Sequence, residues 1–205
     1  MPWWGVVSSG LAPVFLIGGW TAAAALQPVP FNSVTRSISA LAAQGMPYRW
    51  LITGALLGVG ACHAITGLAL RPAAEAGRIM LIFGGLSGMA IAAYPQHVHS
   101  GSPVHEIFSV SGVVLMLLWP IAGARSDPGA PSPLRPQAAW TYGLVTLGLL
   151  LWFVTQLFNG DLLGLAERAI TADQSLWPLV VVLSVLRAQR CLVLTAEPTE
   201  AVSSR

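Results

Sequence analysis

The sequence predicts an all-α, polytopic membrane protein with six transmembrane helices and short interfacial helices in the connectors. Three observations carry that expectation. The chain is 55% hydrophobic and only 9% charged, with a mean hydropathy of +0.69, whereas roughly a quarter of the residues of a soluble domain are charged. It contains six apolar runs near the length of about 20 residues that crosses about 30 Å of hydrocarbon at a rise of about 1.5 Å per residue. Those runs are continuous and not alternating, which excludes a β-barrel, the other architecture that satisfies the backbone in lipid.

The expected spans cover residues 6–26, 50–70, 78–94, 103–124, 138–158 and 174–194. The first reads as a retained span, because MPWWGVVSSG lacks the basic n-region of a signal peptide. Pro28 and Pro30 stop it. The third is short, and its GGLSG core suits tight packing between neighbours. Ser102 followed by Pro103 is an N-cap with proline at the first helical position of the fourth span, and Thr171 to Gln174 has the pattern of a capping box ahead of the sixth. Residues 125–137 form a Pro-rich hinge. Together 1–194 read as one transmembrane domain and 195–205 as a polar, disordered tail.

The connectors carry structure of their own. Val34, Ile38 and Leu41 recur with helical spacing, as do the apolar residues of 162–170, so each segment should hold a short helix at the interface or folded over the bundle. Gly54 with Gly58, and Gly84 with Gly88, are spacings that permit close helix approach. His63, in the second span, should point into the bundle and hydrogen-bond a neighbouring helix.

Charge distribution sets the orientation and removes some partners. All ten basic residues are arginines, scattered singly, which excludes nucleic acid and a polybasic lipid switch as partners. With the N-terminus inside, seven arginines fall on the inner side and three on the outer, which places both termini in the cytoplasm and the protein in the cytoplasmic membrane, with the lipid bilayer as its partner. Trp50, Tyr94 and Trp177 would then mark one interface and Trp119 and Trp140 the other. Cys62 and Cys191 lack CxxC spacing, so neither a disulfide framework nor a thiolate metal site is expected.

Several stretches then become familiar. SVTRSISALAAQGMPYRW before the second span, CHAITGLALRPAAEAGR across its end, GGLSGMAIAAYPQ through the third and GLAERAI before the sixth together resemble the bacterial family catalogued as domain of unknown function 998, over residues 32–194. The resemblance implies a six-span membrane protein of unassigned activity. Family members often carry an acid shortly after the proline that is here Pro95, and this chain has His97 and His99 instead.

Under the expected topology, three outer connectors bring polar residues to one face, where desolvated ionisable groups must be paired or functional. His97, His99 and His105 could ligate zinc or copper, although H-x-H-x5-H-E is a weak spacing beside HExxH. His105 beside Glu106, with Ser37 or Ser39 as nucleophile, contains the ingredients of a hydrolase acting on a lipid. Arg36 and Arg168, with Glu167, suit the binding of an anionic headgroup or a small carboxylate, or pair internally as scaffolding. Enzyme, lipid or small-molecule binding or transport protein, and structural element are the three classes these residues admit.

Overall fold

Proline, glycine and polar caps set the helix ends. The computed structural model describes residues 1–97 and 101–196. Helix α1 (Trp3–Ala25) leads into α2 (Ile38–Ala42), a single turn begun by Ser37, whose hydroxyl accepts the Ala40 N–H at 3.0 Å. Helices α3 (Arg49–Ala69) and α4 (Glu75–Ala93) follow, and then α5 (Pro103–Ala122), which opens with the expected Ser102 cap and Pro103. A 3-10 turn over Ser132–Leu134 closes the Pro-rich segment, ahead of α6 (Pro136–Asn159) and α7 (Leu163–Ala196). Six of these helices are long and apolar enough to cross a membrane. Among the described residues there is no strand, only an isolated bridge between Gln44 and His97.

The long helices form a closed ring. Helix α1 packs on α3, α3 on α4, α4 on α5, α5 on α6, α6 on α7, and α7 returns to α1. Small residues allow the closest of these approaches, since lipid supplies no hydrophobic drive between helices. A Cβ on Gly60 of α3 would meet the Gly85 carbonyl of α4, and one on Gly85 the Gly60 carbonyl, so the two backbones touch. Of the expected glycine pairs, Gly58 faces Phe15, Gly84 faces Met116 and Gly88 lies against Gly60, while Gly54 has open space beside it. Leu144, Val145 and Leu151 of α6 point outward, as lipid-facing positions should.

Two apolar clusters lie inside. One joins Leu70, Leu81, Met116, Trp119, Leu134, Val181, Val182 and Val185. The other, at the distal end of the bundle opposite the start of α1, joins Ala23, Ile38, Leu41, Ala42, Ile52 and Ala55. Helix α2 therefore folds over the bundle by burying Ile38, Leu41 and Ala42.

Several expectations need correction. The apolar spacing of 162–170 does form helix, but that helix is the first part of α7, a continuous rod of 34 residues. Thr171 does not cap anything; its hydroxyl donates back to the Glu167 carbonyl at 2.7 Å, because a local capping pattern loses to a helix that already has its preceding turn in place. Of the expected aromatic belts, Trp50, Tyr94 and Trp140 are exposed, whereas Trp119 is fully buried and Trp177 stacks on Tyr142 at 4.1 Å between centroids. His63 is buried, as its face predicts, but its Nε2 has no hydrogen-bond partner among the described residues. Thr195 and Ala196, expected in the tail, continue α7, and the rest of the tail lies outside the described residues.

Candidate functional site

Helix polarity alone puts the α1–α3, α4–α5 and α6–α7 connectors at the distal end, and hydrogen bonds then lock them to one another. The Gln44 N–H donates to the Gln96 carbonyl at 2.9 Å, and the Leu165 N–H to the Val34 carbonyl at 3.0 Å. Gly164 makes the second contact possible, since a Cβ there would strike the Ser33 and Arg36 carbonyls. Asn32 supports the turn by accepting the Val34 N–H at 3.0 Å on its side-chain oxygen.

Inside this lock, one residue from each connector meets the others. His105 is 4% exposed; its Nδ1 lies 3.1 Å from the Tyr94 carbonyl and its Nε2 3.3 Å from the Ser39 hydroxyl. The Ser39 hydroxyl is also 3.4 Å from Glu167 Oε1, while Glu167 Oε2 accepts the Ile38 N–H at 2.5 Å. Tyr94 terminates α4 before Pro95, so its carbonyl is one of the helix-end acceptors left without an intrahelical donor. A carbonyl only accepts, which fixes the proton of His105 on Nδ1.

Proton counting then leaves two arrangements for the remaining contacts, because Ser39 has a single hydroxyl proton. With a neutral imidazole, Ser39 donates to Nε2, and its contact with Glu167 needs a protonated carboxyl donating to Oγ. With an imidazolium, Nε2 donates to Oγ and Ser39 donates to the Glu167 carboxylate. The two arrangements differ by the transfer of one proton from His105 to Glu167 through Ser39. Either arrangement satisfies the contacts of the cluster.

Arg168 stands beside it, 9% exposed. Its Nη1 donates to the carbonyls of Ser33 at 2.8 Å, Arg36 at 3.0 Å and Gly164 at 2.9 Å, and its Cζ lies 5.8 Å from the Trp20 ring centroid. Nε and Nη2, the edge that grips a carboxylate or phosphate with two parallel bonds, have no partner among the described residues.

The other expected site residues among those described lie apart from this cluster. Glu106 is exposed on the first turn of α5, its carboxylate folded toward Gly101, and takes no part with His105. Ser37 is a cap and Arg36 an exposed cation over Phe31, 4.5 Å from Cζ to centroid. The part of Arg36 that belongs to the site is its main-chain carbonyl, which accepts from Arg168 Nη1. His97 is exposed in the bridge to Gln44, and His99 lies outside the described residues. Among the described residues no three His, Cys, Asp or Glu side chains gather as a metal site would require, and both ring nitrogens of His105 are already engaged, which favours hydrogen bonding over ligation of zinc or copper.

The family described as Protein of unknown function (DUF998) matches residues 11–184. The chain belongs to this family. No curated protein and no solved structure matches it. The DUF998 match spans every element that builds the distal cluster, from α1 through the first turns of α7, and carries no chemistry with it. Residue types in the sequence point to Ser39, His105, Glu167 and Arg168 but set His105 against Glu106. The Tyr94 carbonyl leaves no residue-type signal, because it is a main-chain acceptor; its one trace is the proline that follows.

Proposed function

We propose that this DUF998 protein resides in the bacterial cytoplasmic membrane with both termini cytoplasmic, and that Ser39 and His105 act as a nucleophile–base pair hydrolysing an ester-bearing lipid at the extracytoplasmic face. The arginine imbalance supports the orientation. One observation carries the chemistry: His105 is held by the Tyr94 carbonyl in the tautomer that presents Nε2 to the Ser39 hydroxyl. That is the relation a base needs to a serine nucleophile, with a main-chain carbonyl in the orienting position that a carboxylate often fills. Nε2 takes the hydroxyl proton as Oγ attacks the ester carbonyl, and returns it to the departing alcohol oxygen as the C–O bond breaks. Water then attacks the acyl-serine through the same base. Glu167 holds the α2 N-terminus and, through it, the position of Ser39.

A fluorophosphonate probe applied to the full chain in membranes tests this reading. Labelling that is lost in both Ser39→Ala and His105→Ala is the expected result. Absence of labelling, or labelling that survives Ser39→Ala, would overturn it. A second reading, binding of an anionic headgroup or small carboxylate, is favoured by the buried Nε/Nη2 edge of Arg168, which has no hydrogen-bond partner among the described residues.

A further inference from the structure

The continuity of α7 moves Asp173 from the expected membrane edge into the middle of the bundle. Thr146 of α6 donates its hydroxyl to Asp173 Oδ2 at 2.7 Å, and Thr146 stands ten residues after Pro136 and thirteen before Asn159 in α6. The next residue, Gln174, donates to the Val113 carbonyl at 3.1 Å, and Val113 stands ten residues after Pro103 and nine before Ala122 in α5. At about 1.5 Å per residue both partners lie about 15 Å from their helix ends, which is half of a hydrocarbon core about 30 Å thick. Two independent helices thus give the same depth.

The surroundings of Asp173 are polar, and among the described residues no cation pairs with it. From α6, Thr146 is fully buried and Tyr142, which is 7% exposed, donates to the Asp173 main-chain carbonyl at 3.3 Å. Tyr142 is the titratable group that faces it from that helix. Helix α1, which also packs on α7, has no titratable side chain, and neither has α2; α3, which touches α7 as well, carries the buried His63 and Cys62, and His63 Nε2 has no hydrogen-bond partner among the described residues; α5 presents the neutral Val113 carbonyl. On α7 itself, Arg168 is committed to the distal carbonyls, and Arg187 is fourteen residues further on, about 21 Å along the helix. Among the described residues the single ion pair is Arg125–Asp127, at the other end of the molecule. Asp173 itself is only partly buried. It lies three residues before Leu176, which is 41% exposed, so it borders the lipid-facing stripe where α6 leans on α7.

A carboxyl at mid-depth with one hydroxyl donor, Thr146, and no ion-pair partner among the described residues is expensive to keep unless it exchanges a charge as part of a function. We propose that Asp173, cradled by Thr146 and Tyr142, is a proton-exchange site within the membrane, separate from the distal cluster. The bound species is a proton taken from and returned to water, and the carboxyl alternates between –COO⁻ and –COOH. The Thr146 hydroxyl donates to the carboxylate and can turn to accept from the acid, so it serves both states.

The test uses the full chain in native membranes and compares an apolar carbodiimide with a water-soluble one, mapping the modified carboxyls by peptide mass analysis. Asp173 should react with the apolar reagent at least ~10-fold faster than the exposed Asp161 and Glu106, as befits a carboxyl in the hydrocarbon region, with the preference reversed for the water-soluble reagent. Equal rates with both reagents, or no Asp173 product, would overturn the site. Infrared difference spectra between acid and alkaline samples give the second readout. A protonated-carboxyl band that disappears in Asp173→Asn and moves in Thr146→Val supports the proposal, and spectra unchanged by Asp173→Asn sink it. Both variants conserve shape, and neither touches the Ser39–His105 pair.

Discussion

Replacing Gly164 with alanine adds one methyl group at the seam between α7 and the first connector. The new Cβ would lie inside contact distance of the Ser33 and Arg36 carbonyl oxygens and 2.8 Å from the Arg36 carbonyl carbon. All of these atoms are main chain, so no side chain can swing aside, and α7 must separate from the connector. Arg168 depends on the same two carbonyls, at 2.8 and 3.0 Å. Overpacking of this kind costs about 1–3 kcal/mol, and weakening a hydrogen bond from a charged donor about 1.5–3 kcal/mol. Because separation relieves the first by incurring the second, the two do not add fully. Alanine also gains about 1 kcal/mol over glycine in a helix. A net loss of about 2 kcal/mol follows, read by SDS titration of the protein in mixed micelles with tryptophan fluorescence. Gly148→Ala is the control, since open space surrounds that position, and it should be neutral or stabilising. Equal or greater stability of Gly164→Ala relative to Gly148→Ala would refute the account of how the connectors are locked.

Two further expectations follow from the same end of the molecule. His105→Ala removes bonds to Tyr94 and Ser39 and should lower stability by about 1–3 kcal/mol, while His97→Ala, at an exposed position, should stay within about 0.5 kcal/mol in the same titration; matching losses would mean that His97 has a partner in the folded protein. Arg168→Lys keeps the charge but removes the two-pronged edge, so if that edge holds an anion, retention on anionic lipid vesicles should fall by about tenfold for one lost bidentate contact, with Arg36→Lys unchanged. Indistinguishable retention of all three proteins would remove the binding reading.

The six spans were legible because a membrane demands apolar length, and composition reports that directly. The convergence of three connectors was legible too, since it follows from counting spans. What failed was the end of a helix. Thr171–Gln174 resembles a capping box, but Leu165, Ala166 and Ile170 already place a helical turn before it, and cooperativity carries the helix through. A cap there would leave Asp173 at the surface, whereas the continuous helix carries it into the bundle. Partner choice failed for a different reason: His105 and Glu106 are adjacent in sequence, yet adjacent residues on a helix point about 100° apart, so His105 turns inward to Ser39 while Glu106 faces out. Sequence proximity reported neighbours along the chain, and the site is built from neighbours across it.

The length of α7 has a mechanical consequence. Its first turns are bolted to the connectors through Leu165, Glu167 and Arg168, and about 27 Å further along the same rod Val181, Val182 and Val185 are wedged against Trp119 and Leu134. Displacing the first turns of α7 from the connectors is therefore not a local event. The rod must either pivot whole, levering its far end out of that wedge, or flex at Pro178, where the missing N–H makes bending cheapest. Anything that stiffens Pro178 ties events at one membrane surface to the packing at the other.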